Sequence, residues 1–126
     1  MNYIFSAIFL YFFLGFLLYI FQRRIVFNKS GHPGAPKDYN LDNTEEVYIK
    51  TEDNLKLLSW YHKGNNSLPL LVYFHGNSFH IGDRAYRIQR YIEKNWSVLL
   101  VSWRGFGGNK GNPTEKNLYK DAEAVL

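Results

Sequence analysis

From Tyr3 to Phe21 the chain runs for nineteen residues without a charged side chain, and polar positions return at once with Gln22, Arg23 and Arg24. Phe, Leu, Ile and Tyr occupy every face of this stretch, so it predicts a helix without a polar stripe, suited to lipid rather than to one side of a protein core. Rising about 1.5 Å per residue, it reaches roughly 28 Å, close to the ~30 Å hydrocarbon thickness of a bilayer. A cleavable signal peptide is the competing reading. Met1 and Asn2 bring no Lys or Arg, the apolar run is longer than a usual signal core, and no small-x-small cleavage site follows, all of which favour a retained transmembrane helix over residues 1–24. Arg23, Arg24 and Lys29 follow the span and no basic residue precedes it. The positive-inside rule then predicts a single-pass protein whose following domain faces the cytoplasm.

Beyond the span the pattern changes. Phe27 to Asn43 is rich in Gly, Pro, Asn and Lys, which predicts a linker over residues 25–44. Two β-prone runs, Glu45 to Thr51 and Leu55 to Tyr61, flank Glu52-Asp53-Asn54 and predict an antiparallel hairpin. After a polar loop from Lys63 to Leu68, the apolar run Pro69 to Phe74 is too short for a helix and predicts a strand buried on both faces. Between Asp83 and Asn95, Ala85, Ile88 and Ile92 recur at helical spacing with Arg84, Arg87, Arg90 and Lys94 opposite. A second apolar run, Ser97 to Trp103, completes a strand, helix, strand unit, whose strands are expected to be parallel with a right-handed crossover. Asn112-Pro113-Thr114-Glu115 then predicts a helix start capped by Asn112, with Leu118, Ala122 and Val125 on one face. The fold class is therefore α/β, with a folded domain over residues 45–126.

Composition narrows the chemistry. The 126 residues are 46% hydrophobic and 21% charged, in the range of a globular protein. Cysteine is absent, which removes disulfides, thiolate nucleophiles and cysteine-ligated metals. The net charge of +4 is scattered, consistent with attraction to an anionic bilayer surface, and no nucleic-acid motif accompanies it. His32, His62 and His80 lack ligand-like spacing, so no metal site is expected. Gly105-x-Gly107 followed by Gly111 does not fit the dinucleotide fingerprint, so no cofactor is expected and a nucleotide-binding domain is a remote alternative. Asn28-Lys29-Ser30 and Asn65-Asn66-Ser67 are glycosylation sequons by letter only, without consequence in a cytoplasmic domain.

Acyl transfer builds negative charge on a carbonyl oxygen, and preorganised backbone N–H groups lower its barrier. Tyr73-Phe74-His75-Gly76-Asn77-Ser78 places a tight turn directly after a buried strand, a layout that presents such donors. Gly76 admits an unusual backbone conformation or the close approach of a ligand. A plain strand-to-helix turn carrying a hydrogen-bonded His is the alternative reading of the tripeptide alone.

Read together, Leu70 to Asn77, Ile81-Gly82-Asp83-Arg84, Val98 to Gly107, Gly111-Asn112-Pro113-Thr114 and Leu118 to Ala122 resemble the α/β-hydrolase superfamily, in particular its membrane-anchored serine hydrolases with a His-Gly-Asn loop. The likeness covers Glu45 to Leu126, and the joint spacing of the His-Gly-Asn and Arg-Gly-Phe-Gly segments makes it more specific than either motif. It implies a mostly parallel sheet of which this chain carries the first half, a hairpin plus a parallel βαβ unit, truncated. The oxyanion loop would be His75, Gly76, Asn77 and Ser78, with a backbone donor near Asn77 or Ser78 and with His75 bracing the loop. Arg104, Gly105 and Gly107 would form a structural turn after the next strand. Ser102 stands where the family usually has Asp, and Asn109 where it usually has Ser, which implies altered hydrogen bonding in that turn.

The family's nucleophile elbow, Gly-x-Ser-x-Gly, does not occur here, and no catalytic nucleophile, acid or base is expected within these residues. Gly76-Asn77-Ser78-Phe79-His80 matches its first three positions, but His80 stands where the sharp elbow needs a small residue. The resemblance thus implies the amino-terminal portion of a membrane-anchored serine hydrolase for ester, thioester or amide bonds, inactive alone. The alternative is a membrane-tethered interaction module or truncated remnant without enzymatic activity. Expected partners are the lipid bilayer and a second polypeptide completing the sheet beside Pro69 to Phe74, an edge that is otherwise apolar and aggregation-prone.

Overall fold

The uninterrupted apolar run folds as helix α1, Asn2–Val26, in the computed structural model, which describes residues 2–126. None of its residues is buried. The helix is long and apolar enough to cross a membrane, and Arg23 and Arg24 fill its last turn, where they complement the negative end of the helix dipole.

The hairpin forms as predicted, with strands β2 (Thr44–Lys50) and β3 (Lys56–His62) antiparallel in the register Thr44 to His62 through Lys50 to Lys56. Its turn is closed by Thr51, whose N–H donates to the Leu55 carbonyl (3.0 Å) and whose hydroxyl accepts from the Leu55 N–H (3.0 Å). Asn54 takes the left-handed conformation there (φ 62°), which Asn tolerates better than most residues. The two apolar runs form β4 (Leu70–Phe74) and β6 (Ser97–Val101), paired parallel with Phe74 opposite Val101. Strand β6 also pairs antiparallel with β3, so the sheet order is β2-β3-β6-β4. A two-residue parallel bridge joins β1 (Asn28–Lys29) to β5 (Ser78–Phe79).

Helix α2 is shorter than its periodicity predicted. A 3-10 turn occupies Ile81–Arg84, and α2 runs Ala85–Ile92. It stops because Asn95 is left-handed (φ 64°) and the Trp96 N–H reaches back to the Tyr91 carbonyl (3.0 Å), a Schellman closure. Helix α3, Glu115–Val125, begins later than expected. Its cap is Thr114, whose hydroxyl accepts from the Asn117 N–H (3.2 Å), not Asn112. Pro113 consequently lies before the cap rather than in the first turn.

The linker expectation for residues 25–44 is corrected. Apart from the end of α1 and strand β1, the segment folds onto the domain: Pro33 and Pro36 are buried, Pro36–Tyr39 is a 3-10 turn, and Leu41 joins the main core with Leu58, Trp60, Ile81, Ala85, Ile88, Val98 and Leu100. The Tyr39 ring packs against Trp60 at 5.4 Å between centroids, and its hydroxyl donates to the Pro33 carbonyl (2.6 Å). A high Pro and Gly content describes how this segment bends, and its few large side chains are enough to dock it. Leu41→Ala is therefore expected to lower the unfolding free energy by about 2–5 kcal/mol, the usual loss for a buried leucine. Denaturant melts of the two proteins measure it, and an unchanged midpoint would mean that the segment is dispensable.

Candidate functional site

Because Phe74 and Val101 are register partners on parallel strands, the chain leaves β4 and β6 at the same level, at the carboxyl ends where ligands bind in α/β sheets. His75 starts one exit and Ser102 the other, and Trp103 ties them together. Its backbone N–H donates to His75 Nε2 (3.3 Å), its indole N–H donates to the His75 carbonyl (2.7 Å), and its ring stacks on Phe74 at 4.6 Å. Phe106 meets the His75 ring edge-on at 5.0 Å. Since Nε2 accepts a hydrogen bond, the ring proton of neutral His75 sits on Nδ1. His75 is 3% exposed. Burial pushes its pKa down to about 4, against an opposing pull from the Gly76 backbone, so the ring is neutral at physiological pH.

The following residues turn outward. Gly76 does not adopt a positive φ, so the unusual conformation its sequence allows is not used. Nothing lies within 4 Å of where its Cβ would be, so the space for a close approach is there. The Asn77 side-chain amide donates to the Val26 carbonyl (2.7 Å), and the Asn77 carbonyl accepts from the Asn28 N–H (3.0 Å). Both bonds leave the backbone N–H of Asn77 uncommitted, and among the described residues it has no acceptor. Ser78 lies opposite Asn28 in β5, a strand position and not the strand-to-helix elbow of a nucleophile. Phe79 is left-handed (φ 65°), a strained conformation for a bulky residue, at the point where the loop turns back toward His80.

Arg104 and the glycines after β6 form a separate, buried assembly. The Arg104 guanidinium is 2% exposed and bonds Asp121 through Nε (2.8 Å) and Nη2 (2.6 Å), and Asp53 through Nη1 (2.8 Å). Its backbone N–H also donates to Asp121 (2.9 Å). Burial by itself would lower the arginine pKa, but the hydrogen bonds to Asp121 and Asp53 outweigh it and raise it. The Arg104 hydrogen bond, helped by the Thr51 hydroxyl, holds the Asp53 carboxyl well below the usual carboxylate range. Gly105 (φ 77°) and Gly107 (φ 57°) have left-handed conformations that favour glycine, and a Cβ on Gly107 would meet Ser102 Oγ at 2.8 Å.

The two unusual residues of this turn work together. The Ser102 hydroxyl donates to the Phe106 carbonyl (3.3 Å). The Asn109 amide donates to the Ser102 (3.0 Å) and Trp103 (3.2 Å) carbonyls, while its oxygen accepts from the Leu58 N–H (2.9 Å). Asn109 thereby staples the turn to β3. Asp53 and Asp121 were not singled out as site residues from the sequence. Their roles depend on contacts with residues 51 and 17 positions away, for which local patterning carries no signal.

No family model matches the chain. Protein bem46 of Schizosaccharomyces pombe is 32% identical to it over 124 residues, which is 90% of this chain and 40% of bem46. The α/β hydrolase domain-containing protein WAV2 of Arabidopsis thaliana is 28% identical over 119 residues, covering 87% of this chain and 38% of its own length. An α/β hydrolase structure from Vibrio vulnificus superposes with a TM-score of 0.55 at 29% identity, over 68% of this chain and 29% of that one. The chain belongs to the α/β-hydrolase superfamily. A Pyrococcus furiosus esterase shares the fold of this α/β-hydrolase chain with a TM-score of 0.60 at 22% identity, over 79% of this chain and 40% of the esterase. A Saccharomyces cerevisiae relative, 30% identical over 115 residues (86% of this chain, 40% of its own length), is called a membrane protein. The chain spans about 40% of the length of the curated relatives it matches.

A buried histidine with a depressed pKa carries a pH signature. Above pH 6.5, the ordinary value, His75 is neutral folded or unfolded and costs nothing; between 6.5 and about 4 only the unfolded state binds the proton, so stability falls as pH falls. The expected loss is on the order of 3 kcal/mol, complete below the folded-state value. Denaturant unfolding between pH 7 and 4 measures it, and His75→Gln should flatten that decline. A variant with the wild-type slope would remove His75 as its cause. Arg104→Met, which strands Asp121 in the interior, is expected to cost about 3–5 kcal/mol in the same assay at pH 7.

Proposed function

We propose that this chain provides the membrane anchor and oxyanion loop of a serine hydrolase acting on ester, thioester or amide bonds. In this reading the domain faces the cytoplasm, and the nucleophile, acid and base come from outside residues 1–126. The observation that carries it is the uncommitted Asn77 N–H beside the open space over Gly76, on a loop pinned by His75 and Trp103 at the carboxyl end of β4. A donor fixed before the reaction is what stabilises a developing oxyanion, because no reorganisation is needed as charge appears.

The sheet edge supports the same reading. Among the described residues β4 pairs only with β6, its other edge is open, and Leu70 is 48% exposed. A strand from a second polypeptide or a further segment fits there, and the serine it would bring belongs beside the loop. The membrane name of the yeast relative and the apolar α1 support the anchor.

The test uses a fluorophosphonate probe, which labels an activated serine. The 126-residue chain alone should remain unlabelled, and capture at Ser78 would reverse the site assignment. Co-expressed with a polypeptide carrying a Gly-x-Ser-x-Gly elbow, the reassembled protein should be labelled on that second chain. Asn77→Pro, which deletes the backbone donor, should then lower ester turnover by about 10²–10³-fold, the usual effect of losing one oxyanion donor. Asn77→Ala keeps the N–H and should retain most activity. Co-purification without labelling or turnover would favour a membrane-tethered interaction module.

A further inference from the structure

The last turn of α1 and the segment before α3 enclose a cleft of about 520 Å³, lined by Arg23, Arg24, Phe27, Lys29, Asn112 and Pro113. Three of these six residues are cations and none is acidic. Among the described residues no carboxylate pairs with them, since the ion pairs that form are Arg104 with Asp53 and Asp121, Lys120 with Glu52, and His80 with Asp83. Like charges gathered around one cavity repel, and an anion placed among them relieves that repulsion.

The walls of the cleft are fixed to both the helix and the domain. The Asn77 amide holds the Val26 carbonyl, the β1 to β5 bridge follows at once, and the Phe27 ring meets Phe106 edge-on at 6.3 Å. Lys29 Nζ lies 3.5 Å from Asn112 Oδ1, which keeps the ammonium at the rim against the opposite wall. Depth along the membrane normal is set by the sequence: Arg23 and Arg24 follow within three residues of Phe21, the last residue of the apolar run. A span ending there puts both guanidinium groups at the level of phospholipid headgroups.

We infer that this cleft binds a phosphate-bearing anion, supplied by the headgroup of an anionic phospholipid or by a soluble phosphate compound. Paired guanidinium groups suit phosphate because each offers parallel N–H donors to two of its oxygens, and Lys29 adds a point charge. The binding needs neither a nucleophile nor an oxyanion donor, so it stands apart from the hydrolytic reading.

The full 126-residue chain in dodecyl maltoside, titrated with phosphatidylglycerol, phosphatidylcholine or inorganic phosphate, tests this by native mass spectrometry. One phosphatidylglycerol should be retained in preference to phosphatidylcholine. The triple change Arg23→Gln, Arg24→Gln, Lys29→Gln should weaken its binding on the order of a hundredfold, given roughly fivefold per cation at a membrane surface. Lys37→Gln, Lys50→Gln, Lys56→Gln removes the same charge from other exposed positions and should bind as the wild type does. Saturable binding of inorganic phosphate that displaces the lipid, lost in the cleft variant, would support the site and assign it to a soluble ligand. Equal weakening in both triple variants, or no preference for phosphatidylglycerol together with no phosphate binding, would overturn it. Circular dichroism checks that each variant folds. Should the cleft triple not fold, Arg23→Gln and Arg24→Gln singly carry the comparison, each expected to weaken binding about fivefold, with wild-type affinity in both overturning the site.

Discussion

Trp103 spans the gap between two parallel strands with one hydrogen bond from its backbone and one from its indole, and both end on His75. A loop leaving an edge strand has no further strand beside it, so other parts of the chain have to fix its conformation. Here the neighbouring strand does that. Trp103 accounts for the ring tautomer of His75, whose Nε2 accepts its N–H, and it stacks on Phe74. Without that tie the candidate oxyanion loop would be held only through its bonds to Val26 and Asn28, and its free N–H would lose part of the preorganisation that gives such a donor its value.

Trp103 in turn depends on the charge cluster immediately after it. Arg104 is turned inward, with Asp121 receiving both its backbone N–H and its guanidinium and Asp53 closing the other side. A buried arginine is costly unless nearly all its donors are met, and here its two partners come from the hairpin turn and from α3. The network therefore locks the first and last elements of the domain onto the exit of β6. Ser102 and Asn109 fit the same logic. A serine leaves the turn with one short hydroxyl, and the longer Asn109 amide supplies the remaining bonds to the turn carbonyls and to β3.

Elements that announce themselves locally were legible from the sequence. The hairpin over Glu45–Thr51 and Leu55–Tyr61 formed within a residue of its expected limits, and the run ending at Phe74 became β4, because period-two alternation and unbroken apolar runs are properties of adjacent residues. Helix α2 was overextended because apolar periodicity continues to Ile92 regardless of whether the first turn is 3-10 or α, and the left-handed Asn95 that ends it has no apolar signature. The linker was misjudged for the opposite reason: Tyr39 and Leu41 are two isolated large side chains in a Gly and Pro background, and only the tertiary fold shows that they dock. At the candidate site the His75 to Ser78 segment was readable as a motif. Its attachment to Val26 and Asn28 was not, since those partners are about fifty positions away.

That attachment changes how the anchor and the domain relate. If α1 ended in a flexible tether, the loop after β4 would sit at any distance and angle from the bilayer. Instead the side chain of Asn77 caps the Val26 carbonyl while the Asn77 carbonyl receives the Asn28 N–H, so one residue joins the candidate oxyanion loop to the end of α1 and to β1 in two bonds. A carbonyl in the last turn of a helix lacks an intrahelical partner and needs a donor from elsewhere, and the loop is the donor here. The same residue thus satisfies the helix end with its side chain while its backbone N–H has no acceptor among the described residues. Helix orientation and loop geometry are set together, which holds the cleft of Arg23, Arg24 and Lys29 and the space over Gly76 in one fixed relation to α1.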